Sequence, residues 1–295
     1  MIPYYQLRGF YGIQPFGLMV LLGIIAGIRF GLARGRAVGM DPSRLGPVMI
    51  GAAVWGLLGA HAAQVLVAAP EVRPGGGLAA FLLQYWTGMS SFGGFFAGLL
   101  AVWAIYRRRL RDEYCFLEVA DVVVQGLAIG FTFGRFGCAL AHDHPGRVSG
   151  FWLAVRYPGG ARHDLGLYEA LWLVAVLWPA LFLLKRCRPA PPPGTWLITL
   201  GLLYCPARFL LDFLRADDLP GADVRWHGLT FSQFAAAGVS AALAALLLVR
   251  SRSRHRGSAR DSGPRRRPAR VRASRRSGCR RSRRTGSPRP SPRPR

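Results

Sequence analysis

The side chains best suited to chemistry lie in two segments where charged residues interrupt apolar sequence. The first segment is Gly134–Arg147, which reads GRFGCALAHDHPGR. Its ionisable residues are Arg135, His142, Asp143, His144 and Arg147. Its glycines permit unusual backbone conformations and close approach of a ligand. The alternative interpretation is a single arginine whose head group reaches the membrane interface among polar neighbours. The clustering favours a functional site over that alternative.

The second segment is Arg208–Arg215, in which Arg208, Asp212 and Arg215 are spaced i, i+4 and i+7. Residues at this spacing share one face of a helix, and Tyr204 extends the same face by one turn. Two arginines for one acid leave a net positive charge on this face. Guanidinium groups bind phosphate bidentately, so both segments together predict a site for a phospholipid head group. A self-contained arginine–aspartate ladder is the structural alternative.

Other polar or glycine-rich positions carry weaker signals. The glycine-rich segment Gly88–Gly98 is explained by close packing of small residues, and Arg29 and His61 by structural roles. His163–Asp164 and Tyr168–Glu169 are expected on the same membrane side as the two charged segments.

Several kinds of site are excluded by motif. The sequence has no Walker-type phosphate loop and no Gly-Ser-Gly nucleophile elbow. Its five cysteines are widely spaced without a C-x-x-C pair, so neither a disulfide framework nor a structural zinc site is indicated. We therefore expect no metal site.

The composition requires these segments to be positioned by membrane helices. Of 295 residues 51% are hydrophobic and only 18% are charged, which argues against an ordinary soluble protein. A spanning helix needs about 20 predominantly apolar residues. Seven candidate spans result: Pro15–Ala33, Pro47–Ala69, Tyr85–Tyr106, Val119–Leu140, Gly166–Leu184, Thr195–Leu214 and Leu229–Val249. The predicted fold is all-α, a polytopic integral membrane protein of about seven transmembrane helices.

The distribution of arginine and lysine predicts the orientation of these helices. Basic residues follow the first, third, fifth and seventh spans, whereas the other connections contain few. The positive-inside rule then places the N-terminus outside and the C-terminus in the cytoplasm. Residues 1–249 form the membrane domain, and residues 141–164 are its external loop or head segment.

The C-terminal segment has a different composition. Residues 250–295 contain 19 arginines and one acid, among serine, proline and glycine, so we expect a disordered basic cytoplasmic tail. This tail also accounts for most of the net charge of +25. The basic composition of the tail is explained by attraction to anionic lipid. No specific nucleic acid is expected as a partner.

The order of these motifs resembles that of the prolipoprotein diacylglyceryl transferases, bacterial inner-membrane enzymes of lipoprotein biosynthesis. The resemblance extends from Phe16 to Val249. It depends on Phe16–Met19, Gly88–Gly98, Gly134–Arg147, Arg162–His163, Leu167–Glu169, Tyr204 with Arg208–Arg215, and Gly228–Gln233.

The resemblance implies an activity and a set of site residues. The activity is protein lipidation, in which diacylglyceryl moves from phosphatidylglycerol to the lipobox cysteine thiol of a prolipoprotein. No cofactor is implied, and the partners are phosphatidylglycerol, lipobox peptides and membrane lipids. Arg135 and Arg208 match the family's essential arginines, which hold the lipid phosphate and stabilise the leaving group. The other matching positions, assigned to binding of phosphatidylglycerol, are Gly134, Gly137, Cys138, Gly146, Arg147, Tyr204, Asp212 and Arg215.

Several positions depart from the family's pattern. Phe16 replaces a tyrosine, Phe92 a histidine, Cys138 an asparagine, and both Asp143 and Asp212 a glutamate. A thiol reacts best as thiolate, so a base is expected nearby. We hypothesise that His142 or His144, oriented by Asp143, takes this catalytic role; the alternative is that both line a wet external loop.

Two further readings of the function follow from these departures. A diverged member would act on another acceptor or lipid. A non-catalytic phospholipid-binding membrane protein would keep the phosphate arginines without the chemistry. The departures at Phe16, Phe92 and Cys138 distinguish these functions from the family's own, because they should weaken the transfer reaction more than lipid binding.

Overall fold

The fold is a bundle of long helices with a small β-sheet at one end, seen in a computed structural model. The structure describes residues 1–4, 15–68, 90–220 and 222–261, with side chains up to Arg252. The helices are α1 (Pro15–Ala37), α2 (Pro42–Ala68), α3 (Ser91–Arg109), α4 (Phe116–Ala141), α5 (Leu165–Trp172), α6 (Trp178–Cys187), α7 (Thr195–Leu211) and α8 (Phe231–Asp261).

Within the described ranges, six helical segments are long and apolar enough to cross a membrane. They are α1, α2, α4, the combined segment Leu165–Cys187, the segment Thr195–Leu214, and α8. The 19-residue α3 ends in three arginines and occupies the place of the predicted third span. The first residues of that predicted span, Tyr85–Met89, lie outside the described residues.

The fifth predicted span is one segment with a local irregularity. A π-helical turn, Leu173–Leu177, joins α5 to α6. Pro179 at the start of α6 explains this turn, because proline has no N–H to donate and its ring displaces the carbonyl four residues earlier.

Glycines allow α1 and α4 to pack with their backbones in contact. A Cβ atom added to Gly27 would lie 2.7 Å from the carbonyl oxygen of Gly126, and one added to Gly23 equally close to that of Gly130. Such close approach substitutes for the hydrophobic effect, which is absent between helices in lipid. It fixes the helix that bears Arg135.

Helices α2 and α3 form a second close pair. Cβ atoms added to Gly59 and Gly94 would lie 2.9 Å from the carbonyl oxygen of Gly93 and 3.0 Å from that of Gly56, respectively. The small residues of the second span therefore pack as the sequence predicts. The packing interpretation of the glycines in segment Gly88–Gly98 is supported for the part of it that the structure describes.

The segment predicted as an external loop folds into strands, which the sequence analysis missed. Strands β1 (Ile2–Pro3), β2 (Pro145–Val148), β3 (Val155–Tyr157) and β4 (Gly160–Asp164) form a sheet of order β1-β3-β4-β2. β1 runs parallel to β3, and the other pairs are antiparallel. We call this sheet the head; it joins the end of α4 to the start of α5.

A buried aspartate joins α4 to α7 at the end opposite the head. Asp121 accepts hydrogen bonds from the backbone N–H groups of Gly194 at 2.7 Å and Leu197 at 2.9 Å. These are the donors that a helix N-terminus leaves unpaired, so the carboxylate caps α7. The helices that bear Arg135 and Arg208 are thereby held at their far ends.

The end of the chain differs in one respect from the sequence prediction. Helix α8 continues to Asp261, past Val249, where the basic tail was expected to begin. A short hairpin, β5 (Arg225–Trp226) and β6 (Leu229–Thr230), precedes that helix. The predicted disorder of the remaining tail concerns residues 262–295, which lie outside the described residues.

Candidate active site

A buried carboxylate, Glu169, joins the two predicted arginines. Its Oε2 lies 3.0 Å from Nε of Arg135, and its Oε1 lies 3.5 Å from Nε of Arg208. The hydroxyl of Tyr204 donates to Oε2 at 2.7 Å. Glu169 is 1% exposed, at the first turns of α5 immediately after the head. Two guanidinium groups from α4 and α7 therefore meet around one carboxylate.

A second buried carboxylate supports Arg208. Asp212 accepts from Nη1 of Arg208 at 2.6 Å and also accepts from the hydroxyl of Thr230. The amide oxygen of Gln233 accepts from the backbone N–H of Thr230 at 3.0 Å. This chain of bonds connects the end of α7 to the start of α8 and fixes the direction of the Arg208 guanidinium.

The sequence predicts a net positive charge on the Arg208–Arg215 segment. For the buried part of this segment that prediction is wrong. Arg135 and Arg208 face Glu169 and Asp212, all four almost fully buried. Arg215 lies beyond the end of α7 in extended backbone, where it is 3.5 Å from Asp212 and also pairs with Asp223. Its predicted place on the helical face is therefore incorrect. Buried charges of one sign are too costly to remain unpaired, which explains the matching carboxylates.

Aromatic rings enclose the arginine side of this network. The guanidinium of Arg135 lies 5.0 Å from the ring centre of Phe131, and the edge of that ring meets Tyr204 with a centre distance of 4.9 Å. Phe95 also contacts the ring of Tyr204, and Phe92 contacts Phe95. Phe92 is thus part of an apolar wall, so it supplies no group for proton transfer.

His142 and His144, the two histidines of the predicted catalytic group, contact different carboxylates. Nδ1 of His142 lies 2.5 Å from Oδ2 of Asp164, a fully buried residue, whereas His144 contacts Asp143. Asp143 therefore lies beside His144, whereas the carboxylate beside His142 is Asp164. The hydroxyl of Tyr157 also donates to Asp164 at 3.0 Å, and burial together with that carboxylate raises the pKa of Tyr157.

The backbone turns sharply at the end of α4. His142 has φ 51° and ψ 39°, the left-handed conformation that ends many helices. The turn directs Asp143 and His144 back toward the last turn of α4, where Cys138 lies. Among the described residues, potential metal-ligating atoms of Cys138, Asp143 and His144 lie within 4.8 Å of one another. The sequence analysis expected no metal, because this spacing matches no common metal motif.

The glycines assigned to lipid binding have different surroundings. A Cβ on Gly137 would lie 3.0 Å from Cβ of Met19, so this glycine lets α1 approach α4. A Cβ on Gly146 would lie 2.5 Å from the carbonyl oxygen of Leu214, which brings the head against the end of α7. One on Gly134 would meet nothing within 4 Å. Two of the three thus have packing roles.

Arg147 lies apart from the buried network. It pairs at 2.7 Å with Asp217 on the surface, where both side chains are half exposed. The neighbouring Arg162 forms a paired interaction with Asp218, with distances of 2.8 and 2.6 Å. The hydrogen bond from Arg162 lowers the pKa of Asp218. These pairs tie the head to the segment that follows α7.

Glu169 and Asp164 are the functional residues that the sequence analysis did not assign to the site. A signal for Glu169 was present, since it is an acid near the start of an apolar span, where ionisable groups mark functional sites. For Asp164 the sequence indicated only the side of the membrane, because its role depends on the head that the sequence did not predict.

The family described as prolipoprotein diacylglyceryl transferase matches residues 4–249 of this chain. The chain belongs to this family. The resemblance drawn from the motifs is thereby confirmed, and membership makes the chain a multi-pass transferase of the inner membrane. Both arginines, Tyr204 and Glu169 lie inside the matched region.

Individual relatives agree with the family match. A protein of Chromohalobacter salexigens is 29% identical over 76% of this chain and 83% of its own length. One of Nitratidesulfovibrio vulgaris is 32% identical over 74% and 82%, respectively. One of Pseudomonas paraeruginosa is 29% identical over 75% and 83%. All three are named phosphatidylglycerol–prolipoprotein diacylglyceryl transferase. No solved structure matches the chain.

Proposed function

We propose that this chain transfers the diacylglyceryl group of phosphatidylglycerol to the lipobox cysteine of prolipoproteins. Family membership and the names of the relatives support the reaction. The observation that carries the proposal is the convergence of Arg135 and Arg208 on Glu169, beside the head. The two guanidinium groups bind the phosphodiester of the lipid and, later, the phosphate that leaves.

The reaction needs stabilisation of a leaving phosphate. The acceptor sulfur attacks the glyceryl carbon next to the phosphate ester, a new S–C bond forms, and the C–O bond breaks. Glycerol phosphate leaves with the electron pair. Fixed guanidinium donors stabilise this charge as it develops, without reorganising at the moment of reaction. Glu169 and Tyr204 act as positioning residues, since they hold Arg135 in place.

The acceptor thiol needs a group that takes its proton. We assign this role to His142, because Asp164 fixes its Nδ1 and leaves Nε2 as the ring nitrogen that can take up a proton. This assignment corrects the sequence hypothesis in its carboxylate partner. His144 with Asp143 is the second candidate, supported by the contact between the two side chains.

We also propose an orientation with the N-terminus and the head outside and the C-terminus in the cytoplasm. The basic ends of α1, α3 and α6 support it through the positive-inside rule. Labelling of single cysteines by a membrane-impermeant reagent in intact cells tests it. A cysteine placed at exposed Gly150, where a Cβ would meet nothing within 4 Å, should react, and Cys187 should not.

The activity is tested by a transfer assay in vesicles. Purified full-length protein in phosphatidylglycerol vesicles is given a lipobox peptide, and the peptide mass is read. We expect a diacylglyceryl mass increment that disappears in Arg135→Ala and with a peptide whose cysteine is serine. Arg44→Ala is the matched control, since Arg44 pairs with Glu113 at the end of the bundle opposite the head and should leave transfer intact.

The same assay separates the two other functions. Phe92 in the apolar wall favours a non-catalytic lipid-binding protein, since it cannot transfer a proton. Binding of phosphatidylglycerol without any modified peptide would overturn the proposed transfer. A modified product with another thiol or lipid would establish a diverged acceptor or donor.

A further inference from the structure

Strand β1 fixes the residue that follows it, Tyr4, against the head. The backbone N–H of Ile2 donates to the carbonyl of Ala154 at 2.8 Å, and β1 pairs in parallel with β3. Ala154 and Val155 are fully buried, so the partner of β1 is itself held inside the packed head. Tyr4 therefore enters the head from a backbone that is hydrogen-bonded in place.

The ring of Tyr4 lies against two other rings. Its centre is 5.2 Å from that of His142, with 36° between the planes, and 5.2 Å from that of Tyr157, with 42°. The rings of His142 and Tyr157 also meet, edge-on, with a centre distance of 5.9 Å. Favourable aromatic pairs have centre distances of about 4.5–7 Å, so each of the three rings stabilises the other two.

The imidazole of His142 needs such neighbours to keep one orientation. Its Nδ1 is held by Oδ2 of Asp164, and the hydroxyl of Tyr157 donates to the same oxygen. A single hydrogen bond leaves the last torsion of a histidine side chain broad, so the ring can still rotate. The side chain of His142 is only 12% exposed. Tyr4, close to stacked, and Tyr157, edge-on, meet the ring in different orientations and restrict its rotation.

We propose that Tyr4 is a positioning residue for the proton transfer assigned to His142. Its ring, brought in by β1, keeps the imidazole in the orientation in which Asp164 holds Nδ1 and Nε2 takes the proton of the acceptor thiol. The ring of Tyr4 has this role, because ring contacts carry it. The inference rests on the proposed function, since Tyr4 acts only through His142. A segment that precedes the first membrane helix thereby belongs to the site.

Substitutions at Tyr4 distinguish positioning from lipid binding. Tyr4→Ala should lower kcat for peptide modification about tenfold, because a displaced base is less effective. The KM for phosphatidylglycerol should stay the same, since Arg135 and Arg208 are assigned to the lipid. Tyr4→Phe keeps the ring and should restore the full rate. An unchanged kcat in Tyr4→Ala would overturn the proposal.

A double-substitution experiment asks whether Tyr4 acts through His142. His142→Gly removes the imidazole, and added imidazole can take its place against Tyr4, Tyr157 and Asp164. Without imidazole, Tyr4→Ala in this background should lower the rate no further, because the positioned group is already gone. With imidazole, it should raise the concentration needed for half of the rescue about tenfold. A loss from Tyr4→Ala that persists at full size in His142→Gly without imidazole would show a merely structural role.

Imidazole binding is also measured without any transfer reaction. Imidazole should raise the melting temperature of His142→Gly, because it binds the folded state, and should raise it less when Tyr4→Ala is added. Phe182→Ala is the matched control, since this ring lies 5.1 Å from the guanidinium of Arg186 on α6 and should change neither measurement. Equal rises with and without the ring of Tyr4 would contradict the proposed contact.

The outcomes separate this inference from the proposed function. If the unaltered protein modifies no peptide, the transferase function fails, and the role of Tyr4 fails with it. If the peptide is modified at the same rate in Tyr4→Ala, only the role of Tyr4 fails. If Tyr4→Ala does not fold, as judged by helix content, Tyr4→Leu provides the comparison with Tyr4→Phe. Leucine fills space without a planar ring, so the two should differ in kcat, and equal values would overturn the inference.

Discussion

Tyr204 and Glu169, on α7 and α5, are joined by a 2.7 Å hydrogen bond between a phenol and a carboxylate, both buried. The same phenol oxygen lies 3.4 Å from Nη2 of Arg135, so it accepts from the arginine while donating to the acid. One hydroxyl thus fixes the direction of the guanidinium that we assign to the lipid phosphate.

Replacing this hydroxyl tests its positioning role. Tyr204→Phe removes the hydroxyl that donates to Oε2 of Glu169, and loss of a hydrogen bond to a buried charged group costs about 1.5–3 kcal/mol in the free energy of unfolding. We expect transfer to fall about tenfold or more, because a small displacement of Arg135 weakens catalysis. Tyr106→Phe is the control, since Tyr106 donates to the carbonyl of Tyr114 far from the site. An unchanged rate in Tyr204→Phe would contradict the role.

Arg208→Lys distinguishes the effect of positive charge from the effect of the paired N–H donors of a guanidinium group. Lysine keeps the charge but cannot bind Asp212 and phosphate with parallel donors. We expect kcat for peptide modification to fall about 100-fold. Arg44→Lys, at the surface, should have no measurable effect. Equal rates for Arg208→Lys and the unaltered protein would show that charge alone suffices at this position.

His142 is tested by chemical rescue. His142→Gly suits the backbone, because glycine adopts the left-handed conformation without strain. Loss of a general base should lower the transfer rate about 100-fold or more. Added imidazole should restore part of the rate if the side chain moves a proton, and should not if its role is structural. His227→Gly, at the other left-handed histidine, is the matched control.

Much of this architecture could be predicted from the sequence, because lipid imposes simple rules on length and polarity. The spans, the two arginines and Tyr204 follow from apolar runs and from charges within them. The strands of the head could not be predicted, since they are only two to five residues long and one of them, β1, comes from the distant N-terminus. Asp164 is the last residue of β4, so its contact with His142 could not be predicted either.

Close packing of α1 on α4 gives a stability prediction. In Gly27→Ala the new methyl group would meet the carbonyl oxygen of Gly126 at 2.7 Å, and backbone on both sides prevents relief. Overpacking of this kind typically costs about 1–3 kcal/mol in the free energy of unfolding. Gly17→Ala on the same helix, where the methyl group would meet nothing within 4 Å, should be neutral. Thermal unfolding in detergent compares the two, and similar melting temperatures would contradict the close contact.

The folded protein should lose stability at low pH as His163, in strand β4 of the head, gains a proton. Burial lowers the pKa of His163 in the folded protein, whereas the unfolded chain keeps a value of about 6.5. The unfolded state therefore binds the proton more readily, so stability present above about pH 6.5 is lost as the pH falls through that value. His163→Gln should flatten the pH dependence of the melting temperature between about pH 5 and about pH 8. An identical profile in both proteins would contradict this assignment.

The cap that Asp121 places on α7 has a consequence for the opposite face of the membrane. Because one carboxylate fixes the relative height of α4 and α7, the spacing between the two guanidinium groups is set from a point a whole helix length away. The distance between the two guanidinium groups that we assign to the lipid phosphate is therefore held constant, and we expect the opening that admits a lipid to come from movement of other helices. A substitution on the far side of the bilayer can thus alter which head group fits.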